Sequence, residues 1–305
     1  MADLIPPSVK ISGTRHGGRL AVIEVVLVTL IWSSSFVGVK FALGHTGPFT
    51  VAGLRYFLAF ALLVPWLWRG RAAVRGYPRA LWGRFAVMGL AQYTVGNGAL
   101  FWALRAISAT AGSLVLSLVP ILVLCLGILW LGERPRGLQL VGLGGRVGGS
   151  AWFFASGIEP MAPATFGALA LALLAFAVFP VLARAVARER NVGTVSLTAI
   201  PLGIGGGVLL ALALAVEGAP RMPASAWGVI VGLAVVNTLV AYLLYNHALQ
   251  HLSAFEANVV LNLSPLGTAV LAAALLGEQL LLMQIVAMLA VVAGVTLVAR
   301  RVRWV

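Results

Sequence analysis

The chain has 305 residues, 61% of them hydrophobic before its 35 glycines are counted, and only 10% charged. A soluble globular chain holds roughly 45–50% apolar residues with glycine included and about 25% charged. A mean hydropathy of +1.03 therefore excludes a water-soluble enzyme, a disordered chain and a disulfide scaffold. The net charge of +13 does not argue for nucleic acid, because the basic residues stand in short clusters between apolar runs.

The first twenty residues are polar, carry Lys10, Arg15 and Arg19, and show no cleavable signal pattern. A bilayer core about 30 Å thick takes roughly 20 helical residues. Apolar runs of that length predict an all-α integral membrane protein with spans at 22–42, 50–68, 83–104, 109–131, 138–157, 164–184, 194–216, 226–248, 255–276 and 281–299. The short alternating segments of a membrane barrel are not seen. Cys125, the single cysteine, lies inside an apolar run and has no intrachain partner for a disulfide.

Lys and Arg gather on the cytoplasmic side of membrane proteins. Here they cluster at 10–19, 69–84, 134–136, 184–190 and 300–303, while the predicted outer loops keep only Arg105 and Arg221. Both termini are therefore predicted to be cytoplasmic, in a bacterial inner membrane.

The stretch 103–133, ALRAISATAGSLVLSLVPILVLCLGILWLGE, returns 145 positions later as 248–278, ALQHLSAFEANVVLNLSPLGTAVLAAALLGE. The identities include Ser108 and Ser253, Pro120 and Pro265, and the closing LGE. Trp32 with Lys40 eight residues on is matched by Phe176 with Arg184. The predicted organisation is a tail at 1–21, a five-helix repeat at 22–157, an outer linker at 158–163, a second repeat at 164–299 and a tail at 300–305. Five is odd, so the second copy crosses the membrane in the opposite sense. Such inverted repeats build many secondary transporters, with the substrate at the interface between the halves.

The ten spans, the opening LIWSSSFVGVKFAL at 30–43, the Pro48 to Arg55 spacing in GPFTVAGLRYFLAFALL and the paired LGE endings resemble the drug/metabolite transporter superfamily, EamA-type branch. Within it the chain is most similar to bacterial exporters of aromatic amino acids, a narrower likeness that rests on no substrate-reading residue. The small multidrug exporters of this superfamily place a glutamate eight residues before the lysine of their first span, where this chain has Trp32. That difference argues against cation export by direct proton exchange. Glu24 lies nearer the cytoplasmic end, and Glu256 is the other acidic residue in a span region.

Polar groups in hydrocarbon gather at helix contacts or around a wet cavity. Candidate substrate-binding residues are Trp32, Ser33, Ser34 and Lys40 in span one, and Arg55 in span two. Span three adds Tyr93, Asn97 and Trp102 beside Gln92. Span eight adds Asn237, Tyr242 and His247 beside Tyr245 and Asn246, facing Asn258 and Asn262 in span nine. Serines also serve close packing, end-of-span aromatics settle at the interface, and Lys40 and Arg55 can snorkel. Trp32 is mid-span, where its indole N–H needs a partner. Arg146, among glycines in span five, has two open readings: a bond to a neighbouring helix or a place in the cavity. Pro120 and Pro265, at equivalent mid-span places, are candidate gating hinges. Glycines 203 and 205–207 favour close packing of span seven. Glu133 and Glu278 end their helices, where a carboxylate needs compensation; Arg134 and Arg136 stand near Glu133.

The expected function is alternating-access export of small metabolites, amino acids with large apolar or aromatic side chains first among them. The alternatives are an organic-anion carrier for phosphorylated metabolites, motivated by Lys40, Arg55 and Arg146, and a multidrug cation exporter. An enzyme would need a convergent nucleophile–base or metal set. His247 and His251 stand i,i+4, with no third ligand at a recognisable spacing. The expectation is no enzyme, no cofactor, no metal and no nucleic acid. The predicted partners are a small-molecule substrate and membrane lipids, and a monomer suffices because one chain carries both halves.

Overall fold

In the computed structural model the described residues are 15–131, 161–187, 192–252, 254–261, 263–279, 282 and 285–286. All their regular structure is helical. Six stretches are long and apolar enough to cross a membrane: Leu20–Leu43, Pro48–Arg69, Ala109–Leu126, Pro163–Ala187, Thr194–Val216 and Ala224–Ala248. Large apolar side chains such as Leu30, Phe166, Leu174 and Leu275 face outward, as contact with hydrocarbon requires.

Helix α1 runs over Arg15–Leu43 and α2 over Pro48–Arg69. The start of α2 follows from Pro48, whose fixed φ suits the first helical turn and whose missing N–H is no loss there. The short α3, Arg71–Arg75, precedes α4, Arg79–Gly89. A π-helical turn, Leu90–Asn97, joins α4 to α5, Gly98–Ala103, so the third predicted span begins earlier, at Arg79. Helix α6, Ala109–Leu116, starts on Ser108, whose Oγ accepts from the Ala111 N–H at 3.0 Å. Helix α7 covers Val119–Leu131. Then come α8, Pro163–Ala187, and α9, Thr194–Val216. Helix α10, Ala224–Ala234, passes through a second π-helical turn, Val235–Val240, into α11, Ala241–Ala248. Helices α12, Ala254–Leu261, and α13, Ser264–Leu276, complete the order. Helix α13 stops at Gly277, whose φ of +67° is the left-handed conformation that glycine tolerates. The predicted fifth span, with Arg146, and Glu133 lie outside the described residues, as does all of the tenth but 282 and 285–286.

Two predicted spans are interrupted. The fourth breaks between α6 and α7, where Ser117 and Leu118 bond three residues back, to Leu114 and Val115. The ninth breaks between α12 and α13, where Leu263 bonds back to Val260. Each break precedes a proline, Pro120 or Pro265, that lacks the N–H needed to continue the ladder. The two π-helical turns begin at Leu90 and Val235. Breaks and π turns are thus both spaced by the 145-residue offset of the sequence repeat.

Helix α9 packs closely on α2 and α4. A Cβ on Gly205 would land on the Gly89 carbonyl, and one on Gly206 would stand 2.9 Å from Tyr56 Cβ. These glycines let the backbones touch. Two carboxylates hold helix starts from another helix's end. Glu217 accepts from the Phe49 and Thr50 N–H groups at 3.0 and 2.7 Å and from Thr50 Oγ1 at 2.7 Å. Glu278 accepts from the Ala109 and Thr110 N–H groups at 2.8 and 3.3 Å and from Thr110 Oγ1 at 2.7 Å. The compensation expected for Glu278 is thus a helix N-terminus, with its free donors and positive dipole end.

Candidate functional site

Helical spacing carries one face of each of several helices to a common cavity. From α1 come Trp32, Ser35, Phe36 and Val39, at i, i+3, i+4 and i+7. Asn97, Leu100, Phe101 and Leu104 repeat that spacing, and Phe176, Phe179 and Pro180 follow it on α8. Arg55 and Tyr56 enter from α2, Gln92 from the first π turn, and Tyr242 and Tyr245 from α11. Ser113, Leu116, Ser117 and Val119 flank one helix break; Leu261, Ser264 and Pro265 flank the other. The space has a volume of about 150 Å³.

Arg55 is 3% exposed and is the one charged side chain among the described lining residues. Its Nε donates to Thr238 Oγ1 at 2.7 Å, Nη1 to Ser35 Oγ at 2.7 Å and Nη2 to the Asn237 carbonyl at 3.0 Å. The guanidinium also lies over the rings of Tyr56 and Phe101, at 5.2 and 6.0 Å from their centroids. Every one of these partners is neutral. Three of its five N–H groups are engaged, which leaves one on each terminal nitrogen.

Trp32 meets the same anchor. Its Nε1 donates to the Asn237 carbonyl at 3.0 Å, and its ring stands 5.2 and 5.5 Å from those of Tyr242 and Tyr245. Asn237 sits in the second π turn, and such turns displace the regular backbone ladder, often at functional sites. Its Nδ2 returns bonds to the Ile31 carbonyl at 2.5 Å and Ser34 Oγ at 3.0 Å. In the first π turn, Asn97 Nδ2 donates to the Gln92 carbonyl at 2.7 Å, and Gln92 Nε2 donates to Tyr242 Oη at 2.8 Å. With both amide nitrogens engaged, Asn97 Oδ1 and Gln92 Oε1 remain as acceptors.

Of the residues expected to bind substrate, Trp32, Arg55, Asn97 and Tyr242 line the cavity, as does the hinge candidate Pro265. The other substrate candidates do not line it. Tyr93 is fully buried behind the wall, ring to ring with Tyr56, Tyr242 and Phe179. Asn237 supports Trp32 and Arg55 from the second π turn. Ser33 is turned about 100° from Trp32; its Oγ donates to the Thr29 carbonyl at 2.8 Å and to the Ser264 carbonyl on α13 at 3.1 Å. Ser34 is exposed and donates to the Ile31 carbonyl at 2.7 Å. Lys40 stands beyond the last lining residue of α1, and Trp102 carries Arg105 at 5.8 Å from its ring. His247 pairs with Glu24 at the end where α1 begins. Pro120 is the second residue of α7.

Sequence reasoning missed Phe36, Tyr56, Phe101, Thr238, Ser113 and Phe179, whereas Ser35 already stood out in the serine run beside Trp32. Counting four residues on from Trp32 would have found Phe36.

A family model described as the EamA-like transporter family matches the chain twice, over residues 19–155 and 165–300. An uncharacterized transporter of Archaeoglobus fulgidus is 26% identical over 261 residues, 84% of this chain and 89% of that one. A solved crystal structure superposes with a TM-score of 0.72 at 19% identity, covering 93% of this chain and 98% of the other; at that identity the likeness is one of fold.

Proposed function

This chain belongs to the EamA-like transporter family, and on that basis we propose that it exports amino acids with large aromatic side chains by alternating access. The carrying observation is Arg55, a buried cation in the cavity wall whose described partners are all neutral. An arginine with one free N–H on each terminal nitrogen suits a carboxylate, which takes two parallel bonds. Trp32, Tyr56, Tyr242, Phe101 and Phe179 provide the apolar ring surface for the side chain. Asn97 Oδ1 and Gln92 Oε1 accept from the α-ammonium group.

A lipophilic cation finds no carboxylate among the described lining residues. A phosphate monoester brings close to two charges to a wall whose described residues supply one guanidinium. The zwitterion therefore fits better than either alternative.

In this reading both termini face the cytoplasm, and the basic clusters flank that side. The double match of the family model supports two copies of one unit, and an odd span count inverts the second. The breaks before Pro120 and Pro265 are the hinges at which the halves of spans four and nine tilt to open the cavity to each side in turn. The reading is tested in cells that overproduce the protein. They tolerate toxic aromatic amino-acid analogues better and release aromatic amino acids faster than cells carrying Trp32→Ala at equal membrane level. Equal tolerance in the two strains would refute it.

A further inference from the structure

Outside the cavity, the described residues hold a close pair of opposite titratable groups. His247 Nδ1 on α11 lies 2.8 and 2.9 Å from the two carboxylate oxygens of Glu24 on α1. The Glu24 side chain is 10% exposed and that of His247 40%. Carboxylate oxygens and a bare imidazole nitrogen are all acceptors, so with Glu24 ionised this geometry needs a proton on Nδ1. The more open imidazole exchanges its other proton with water.

We propose that Glu24 and His247 form a proton-operated latch that closes the cavity toward the cytoplasm. When His247 holds both ring protons, the pair is neutral overall and its hydrogen bond is charge-assisted, roughly twice as strong as a neutral one. When His247 gives up a proton, Nδ1 still donates, but an uncompensated carboxylate is left in a nearly dry place. Glu24 then gains from water, and α1 parts from α11 at this end.

The same two helices build one wall of the cavity. Trp32 stands eight residues after Glu24, about 12 Å along α1. Tyr245 and Tyr242 stand two and five residues before His247, and both pack on Trp32. Parting α1 from α11 at the latch therefore opens the seam between the Trp32 ring and the two tyrosines.

The neighbouring elements bring few other charges. Arg184 on α8 donates to the Leu249 carbonyl, just past α11. Glu256 stands on α12, and the His251 ring lies 5.5 Å from that of His247. Arg15, His16 and Arg19 precede Glu24 on α1 itself. At this end α9 contributes Thr194 and Thr198, which bond Gln250 and Asn246 and carry no charge.

The latch rests on the cytoplasmic placement of this end and on the cavity, not on the substrate, and its test needs no substrate. Leu261, a cavity-lining residue of α12, is changed to cysteine in a full-length Cys125→Ser background. Inside-out membrane vesicles are treated with a membrane-impermeant methanethiosulfonate between about pH 5.5 and about pH 8.5. At each pH the labelling rate is divided by the rate with His247→Gln added, which cancels the thiol's own ionisation. The ratio is expected to rise roughly fivefold toward alkaline pH. Division by the Glu24→Gln rate should also give a rise, because that variant strands the His247 charge at acid pH and keeps only a neutral hydrogen bond at alkaline pH. His251→Gln should leave the rise in place. A ratio flat with pH against both latch variants, or a rise that His251→Gln removes, overturns the proposal. Because no substrate enters, failed amino-acid exchange and a failed latch are read separately.

Discussion

Trp32 and Arg55 share one acceptor: the carbonyl oxygen of Asn237 takes the indole N–H and a guanidinium N–H, each at 3.0 Å. One backbone group in a π-helical turn thus fixes both the largest ring and the only described charge of the cavity wall. In the proposed function, the aromatic surface meets the side chain of an aromatic amino acid and the guanidinium beside it meets the carboxylate.

Arg55→Lys is expected to insert normally and to lower substrate affinity about tenfold to a hundredfold. Lysine keeps the charge but cannot span Thr238, Ser35 and Asn237 at once or bind a carboxylate through two parallel bonds. Binding to purified protein, followed by intrinsic tryptophan fluorescence, measures the change.

Trp32 contributes a ring and a hydrogen bond, which two variants separate. Trp32→Phe keeps most of the ring contact with Tyr242 and Tyr245 and loses the bond to Asn237, a cost of about 1 kcal/mol. Trp32→Ala also removes the ring and should abolish transport while membrane levels hold. Initial export rates at equal protein level rank the wild type first, Phe second and Ala last.

Neighbouring glycines of α9 should respond in opposite ways. Gly205→Ala drives a methyl group into the Gly89 backbone, whereas Gly207→Ala meets open space. The first should cost about 1–3 kcal/mol by overpacking. The second should be neutral or slightly stabilising, because alanine favours helix. Thermal unfolding of the detergent-solubilised variants reads the difference.

Removing the Glu217 carboxylate should leave the first donors of α2 unsatisfied. Glu217→Ala is expected to cost about 0.5–2 kcal/mol, the usual worth of a helix cap. Glu278→Ala should do the same at α6. Unfolding midpoints of the two single variants and the double variant, with near-additive effects for distant sites, test this.

The helices were legible in the sequence because hydrocarbon demands long apolar runs, and the runs around Leu30, Phe60 and Leu210 are unbroken. Helix rotation was harder to read. Where nearly every face is apolar, periodicity does not say which side looks inward. Ser33 and Ser34 stand beside Trp32 in sequence, yet they face α13 and the outer surface, while Ser35 meets Arg55. The π turns left no local signature, since LAQYTVGN and VVNTLV both read as ordinary helix. The breaks before Pro120 and Pro265 were foreseeable from proline's missing donor. The pairing of His247 with Glu24 joins residues 223 positions apart, a distance that only the fold closes.

Counterflow in proteoliposomes tests the central claim most directly. Vesicles loaded with unlabelled phenylalanine or tryptophan should take up the labelled amino acid transiently with wild-type protein and not with Arg55→Gln. A lipophilic quaternary cation or a sugar phosphate should not substitute for the internal amino acid. Exchange of either of those with no exchange of aromatic amino acids, or undiminished exchange by Arg55→Gln, would contradict it.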